Sequence, residues 1–110
     1  MSALVFLCIA AAAVDGDTLR CRNIQDAGGR VRIARIDAPE MGEPNGPASK
    51  AGLAAMLKGP VRCEQIDAFP WTKAFETHDR YGRIVARCSV NGRDLGRAMI
   101  NAGLAEVWPK

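Results

Sequence analysis

Histidine is nearly missing from this 110-residue chain: His78 is the only one. The four cysteines, Cys8, Cys21, Cys63 and Cys88, include no CxxC pair. Together these absences argue against a zinc site, which draws its ligands from closely spaced Cys and His. No apolar run is long enough to span a bilayer as a helix; the longest, residues 3–13, falls well short. There is no internal repeat, no low-complexity segment and no long linker. Nor is there a strong excess of one charge. The net charge of +3 is compatible with a polyanionic partner but is common in soluble domains. Where the arginines sit therefore matters more than their sum.

What is present is ordinary in bulk. Hydrophobic residues make up 48% and charged residues 25%, the balance of a soluble globular protein. A chain of this length is expected to form one domain over residues 1–110, with a core that needs neither metal nor disulfide staples. The stretch from Ala3 to Ala13 supports two readings. It resembles the apolar part of an export signal, with residues 1–7 as its remnant, but it lacks the positive segment such a signal carries. Alternatively it is a buried first strand. Under either reading Cys8 to Val14 is expected to pair in a sheet.

The alternation of apolar and polar residues organises the rest. A strand ends at Val14, and Asp15-Gly16-Asp17 makes a tight turn into a second strand over Thr18 to Arg22. Asp26-Ala27-Gly28-Gly29 signals a hairpin. Arg30 to Ile36 reads as a third strand, with Arg32 on the face opposite Val31 and Ile33. Pro39 ends it, and Glu40 to Gly46 is a loop. Pro47 suits the first turn of a helix over Ala48 to Lys58, stopped by Gly59. Two strands follow, Val61 to Ile66 and Arg83 to Val90, separated by a long loop. They read as antiparallel neighbours. A Cys63–Cys88 disulfide is open to them if the protein is exported; buried free thiols are the alternative. A last helix runs from about Asp94 to Asn101, with Gly103 as its stop. The expectation is an α+β fold: a five-stranded OB-type barrel with two or three packed helices.

The chemistry concentrates in three places. Val31-Arg32-Ile33-Ala34-Arg35-Ile36-Asp37-Ala38-Pro39-Glu40 places an arginine, an aspartate and a glutamate on and just after one strand. Asp15-Gly16-Asp17-Thr18 adds acids upstream. Asp79-Arg80-Tyr81-Gly82-Arg83 adds a second fixed positive charge downstream. Carboxylates hold a hard metal ion. The planar fork of arginine meets two phosphate oxygens at once. Together these parts suggest hydrolysis of a phosphodiester. Singly, each motif reads as a charged turn or a strand end. Arg35 reads as a barrel-rim arginine, His78 as a loop residue, and Glu43 and Glu64 carry no signal.

Taken in order, these motifs together with Asn101-Ala102-Gly103-Leu104-Ala105 resemble the staphylococcal nuclease (thermonuclease) family, over nearly the whole chain from Cys8 to Val107. The resemblance implies that Asp17 and Asp37 are carboxylate ligands of Ca²⁺, and that Ala38 serves the metal through its carbonyl where the family usually has threonine. It implies Glu40 as general base, and Arg32 and Arg83 as the arginines on the scissile phosphate. Arg83 would also help the leaving oxygen depart. The implied activity is a Ca²⁺-dependent nuclease acting on DNA and RNA with little sequence preference, single strands preferred, leaving 3′-phosphate ends. The implied protein is a monomer, either secreted or periplasmic, with the cytoplasm as the other possibility. The alternatives are a non-catalytic OB-type module that binds single-stranded nucleic acid or a protein, and a phosphate- or nucleotide-binding protein without turnover.

Three departures from the family pattern stand out. The loop from Met41 to Gly46 is shorter than in the prototype and lacks its lysine, which implies a more open groove. The loop from Ala68 to His78 is longer and holds Phe69, Trp71, Lys73 and Phe75. Trp71 is a candidate to stack on a base, with Arg80 and Tyr81 on a terminal or flanking phosphate; packing of the aromatics against the barrel is the competing reading. The given sequence ends at Trp108-Pro109-Lys110, short of the base-stacking tyrosines of the prototype. That leaves Trp108 either to take over part of their role or to close the core.

Overall fold

The structure is a computed structural model that describes residues 4–109. Nine strands and two helices follow one another in the order β1 (Val5–Cys8), β2 (Ala12–Asp15), β3 (Thr18–Arg20), β4 (Arg30–Ile33), β5 (Ile36–Asp37), α1 (Gly46–Met56), β6 (Val61–Gln65), β7 (Ile84–Val90), β8 (Arg93–Asp94), α2 (Leu95–Asn101) and β9 (Glu106–Val107). The α+β class holds. The strand count does not: the main sheet has seven strands, ordered β1-β6-β7-β4-β3-β2 with β8 on β7, and β5 pairs with β9 in a second sheet.

Two turns hidden inside apolar runs account for much of the difference. The expected strand from Cys8 to Val14 is interrupted between β1 and β2, where Ala10 takes φ +52°. The expected strand from Arg30 to Ile36 is interrupted between β4 and β5, where Arg35 takes φ +66°. Glycine is the usual residue for such a bend, so alanine and arginine gave no sign of one. The described ladders leave β1 and β2 unpaired with each other. The chain itself joins those two ends of the sheet, and Arg22 N–H reaches back to the Ile9 carbonyl at 2.8 Å. Of the apolar N-terminal run, Val5–Cys8 pairs with β6, and residues 1–3 lie outside the described residues.

The pairing of β6 with β7 is antiparallel and sets Cys63 opposite Cys88, where a disulfide joins them. A second disulfide, Cys8–Cys21, ties β1 to the segment after β3. The four thiols are therefore not free. The hairpin signalled at Asp26–Gly29 is present: β3 and β4 pair antiparallel, and within their connection this segment is a short 3-10 turn with Ala27, Gly28 and Gly29 at positive φ.

Leu19, Val31, Ile33, Ile36, Leu53, Leu95 and Met99 are fully enclosed in one core between the sheet and the helices. Full burial of such a side chain is worth roughly 1.5–3 kcal/mol. α1 carries Pro47 in its first turn, where its fixed φ is pre-set for a helix, and lies on β2. α2 is capped by Asp94, whose carboxylate accepts the Arg97 N–H at 2.8 Å. A smaller cluster of Ala34, Ala68 and Val85, with Ile66 and Phe69 against it, supports the long loop. The parallel pairing of β4 with β7 brings the two motif-bearing segments together, with Arg32 opposite Val85.

Candidate functional site

A cleft of about 440 Å³ opens beside that ladder, and Asp17, Arg32, Asp37, Ala38, Glu40, Trp71, Arg80, Tyr81 and Arg83 all line it. Its floor begins with the Asp15-Gly16-Asp17 turn. The Asp17 N–H donates to the Asp15 carboxylate at 3.0 Å, which fixes the turn. Gly16 is required by close approach: a Cβ there would overlap Ser49 Oγ and lie 2.7 Å from Ala38 Cβ. Asp17 is held 7% exposed.

The register of β3 on β4 sets Thr18 opposite Arg32. The buried Thr18 hydroxyl donates to Asp17 Oδ1 at 3.2 Å and accepts from Arg83 Nη1 at 3.3 Å. Arg32 Nη2 lies 3.4 Å from Asp17 Oδ2. Arg32 also donates to the carbonyls of Ile33 at 2.7 Å and Ile36 at 2.8 Å, so the β4–β5 corner wraps its guanidinium. Arg83 is clamped by Asp79: the carboxylate takes Arg83 Nε at 2.7 Å and the backbone N–H groups of Tyr81 and Arg83 at 2.9 and 3.0 Å. The Arg83 guanidinium sits 5.2 Å from the Tyr81 ring centre. Both arginines are thus fixed before any ligand arrives.

Burial pushes the Asp17 carboxyl up to about 6. The Arg32 charge and the Ala38 N–H, which donates to Asp17 Oδ2 at 2.9 Å, pull it back, and the nearby Asp15 adds to the rise. Asp37, exposed at the end of β5, stands opposite Glu106 in the β5–β9 ladder. Among the described residues no group of three or more His, Cys, Asp and Glu is gathered tightly enough to hold a metal. The described residues therefore offer a cation at most two carboxylates together, and backbone carbonyls. An all-oxygen set of that kind fits a hard cation such as Ca²⁺, with water and substrate oxygens completing the shell.

Glu40 is exposed and lines the cleft from a tight loop. Its N–H donates to Glu43 Oε1 at 2.7 Å, and its carbonyl accepts the Glu43 N–H at 2.9 Å. Gly46 closes the loop, because a Cβ there would overlap the Glu40 carbonyl. Opposite lies an aromatic shelf. Trp71, 57% exposed, meets Phe69 edge to face at 5.8 Å and Trp108 at 5.4 Å. The loop beneath stands on Asp67, whose carboxylate accepts the N–H groups of Phe69 and Glu76 at 3.1 and 3.2 Å. His78 braces its far end against Asp26 at 2.7 Å, in keeping with a loop residue rather than a ligand.

Four residues gained a part here that the sequence did not give them. Thr18 and Asp79 sat inside the quoted motifs, where only their type hinted at hydrogen bonding. Glu43 gave no signal. Arg35, set aside as a rim residue, lines the cleft and reaches the foot of the aromatic loop.

The chain was also compared with known proteins by sequence. The sequence model of the family described as staphylococcal nuclease homologue matches residues 30–110. The chain is 35% identical over 108 residues to the succinoglycan biosynthesis protein ExoI of Rhizobium meliloti (strain 1021), covering 86% of this chain and 49% of that protein. It is 33% identical over 97 residues to the probable endonuclease LCL3 of Paracoccidioides brasiliensis (strain Pb03), covering 79% of this chain and 27% of that one. It is 33% identical over 76 residues to the staphylococcal-like nuclease CAN1 of Arabidopsis thaliana, covering 69% of this chain and 21% of that one. The chain thus spans about half or less of these relatives.

Proposed function

The chain belongs to the staphylococcal nuclease homologue family, and on that premise we propose that it is a Ca²⁺-dependent nuclease hydrolysing the phosphodiester bonds of DNA and RNA. The observation that carries this reading is the Thr18 bridge. One buried hydroxyl joins Asp17, the acid that would hold the metal, to Arg83, with Arg32 on the other oxygen of the same carboxylate. A cation and a phosphate bound there would be adjacent.

Asp17, Asp37 and the Ala38 carbonyl are the groups that would hold Ca²⁺. When bound, it would neutralise phosphate charge and help order the attacking water. The protein's own groups do the rest. Arg32 and Arg83 face the charge that develops on the non-bridging oxygens, and because they are already anchored they need little reorganisation as the reaction proceeds. Glu40 accepts the proton of the water that attacks phosphorus. The bond to the 5′ oxygen breaks with Arg83 on the departing oxygen, which takes up a proton from solvent, leaving a 3′-phosphate and a 5′-hydroxyl. None of these groups reads a base edge, so little sequence preference is expected. Arg80, Tyr81 and Trp71 lie on the path of the flanking nucleotides.

The expected OB-type barrel belongs to this reading: β1 and β2 would be one strand bent at Ala10, closing the sheet through the chain itself. A monomer that acts on single strands in an oxidising compartment, secreted or periplasmic, fits the two disulfides.

A second reading, a module that binds single-stranded nucleic acid or a protein without cleaving, draws on two observations. Arg32 already spends donors on two carbonyls, and one relative carries the name of a succinoglycan biosynthesis protein and not of a nuclease. Cleavage of a labelled single-stranded DNA separates the two. Activity that requires Ca²⁺, stops with chelator and falls by about 10²-fold or more in Glu40→Gln supports the nuclease. Binding without cleavage supports the module.

A further inference from the structure

Arg35 is an unexpected residue in an unexpected place. It takes φ +66° at the corner between β4 and β5, a conformation that glycine adopts freely and an arginine adopts under strain. Strain of this kind, where it is kept, tends to mark a functional position. The side chain is half-buried and lines the same cleft as Arg32 and Arg83. Its Nη2 donates to the Asp67 carbonyl at 2.8 Å. Among the described residues no carboxylate stands within ion-pair distance of it. Burial lowers the pKa of its guanidinium, Arg87 acts in the same sense, and Asp67 acts in the opposite one. A fixed positive charge without a paired anion, inside a cleft, is a place for an anion.

The same residue organises the aromatic shelf. Its carbonyl accepts the Trp108 N–H at 3.0 Å. The Asp67 carbonyl that it binds lies at the foot of the loop carrying Phe69 and Trp71. Arg35 is thus covalently continuous with the β4 strand that bears Arg32 and hydrogen-bonded to both supports of the ring pair. A nucleic-acid strand repeats phosphate and base alternately. If one phosphate rests on Arg32 and Arg83, the next phosphate and the base beside it need a cation and a π-face in close succession.

We propose that Arg35 grips a phosphate flanking the scissile one while Trp71 and Trp108 stack the adjoining unpaired base, so that the cleft carries a dedicated single-strand subsite. This deepens the nuclease reading and rests on it for the position of the scissile phosphate. Stacking on a protein shelf tolerates any base but requires it to be out of a duplex. The subsite therefore selects for strand state and not for sequence.

The test is binding of a labelled oligothymidylate in chelator, with affinity measured against salt concentration. Arg35→Gly removes the guanidinium and suits the backbone, so the fold is kept. Its dissociation constant should rise about tenfold, and the slope of log affinity against log salt should flatten by about 0.7, the value for one lost contact to a single strand. Arg35→Lys should keep most of the slope. Lys58→Gln, an equal loss of charge on an exposed residue away from the cleft, should leave the slope unchanged. An unchanged slope in Arg35→Gly overturns the proposal, even if affinity falls, because a residue that only braces the loop would weaken binding without changing the salt dependence. A wild type that fails to bind overturns it as well. Because turnover is not read, a wild type that binds with the expected slopes and never cleaves removes the nuclease reading while leaving the subsite standing.

Discussion

The two sides of the cleft are built on opposite principles. The charged side is interlocked: Asp17, Thr18, Arg32, Asp79 and Arg83 hold one another through hydrogen bonds of 2.7 to 3.3 Å and an Arg32–Asp17 ion pair of 3.4 Å, and each is anchored on or beside a strand. The aromatic side is a loop. Trp71 on it is 57% exposed, and the loop is supported by Asp67, Arg35 and the His78–Asp26 pair. Rigid charge suits a step in which developing charge must find its partners already placed. An open shelf suits a ligand whose bases differ in size. Each side can be broken without the other, and the two failures should look different.

The largest effect is expected on the interlocked side. Arg83→Ala or Arg32→Ala should lower kcat/KM on single-stranded DNA by about 10³-fold, in the range for losing a preorganised donor. If either variant kept activity near wild type, the division between the two sides would be wrong. Next is Thr18→Val, which keeps shape and removes the bridge. The rate should fall about tenfold, with kcat lowered more than KM is raised, since the loss of one buried hydrogen bond costs on the order of 1–3 kcal/mol.

Asp17 gives a stability prediction with a definite sign. Its carboxyl is raised from the ordinary value to about 6 in the fold. Below about pH 4 it is protonated in both folded and unfolded chains and contributes nothing. Between about pH 4 and 6 the folded chain holds the proton more tightly, so metal-free stability falls as pH rises. Above that the full penalty remains. Asp17→Asn should therefore stabilise the metal-free protein at pH 7 by up to about 3 kcal/mol and leave it little changed at pH 3.5. Thermal melts in chelator across that range check it; equal wild-type and variant curves at pH 7 would contradict it. Saturating Ca²⁺ should raise the wild-type Tm and not that of the variant.

The smallest effect is expected on the aromatic side. Trp71→Ala should weaken binding of single-stranded DNA about fivefold to tenfold, as for one stacked base, with kcat nearly constant. Unchanged affinity would return these rings to a packing role.

This contrast also explains what the sequence could reveal. The helices, the β6–β7 pairing and the residues of the charged side were legible because each depends on local pattern: Pro47 opening a helix, Cys63 and Cys88 in alternating runs, acids and arginines in short motifs. What stayed hidden depends on backbone conformation or on long-range pairing. Ala10 and Arg35 bend the chain without glycine. The Cys8–Cys21 disulfide joins segments brought near by the sheet. The parallel β4–β7 ladder has no local signature, because strands that meet this way are separated by half the chain. Thr18 was visible as a residue, but its bridging role needs both neighbours in place.

That parallel ladder has a consequence for how the protein comes to life. Arg32 lies within it on one strand and Arg83 stands at the threshold of the other, with α1 and β6 lying between them in the chain. A nascent chain that has emerged only as far as α1 carries one arginine and no partner for it. The proposed phosphate grip forms only when the two distant segments have met. Assembly of the sheet is in effect the safety catch on the proposed activity: a chain without β7 carries only half of the grip.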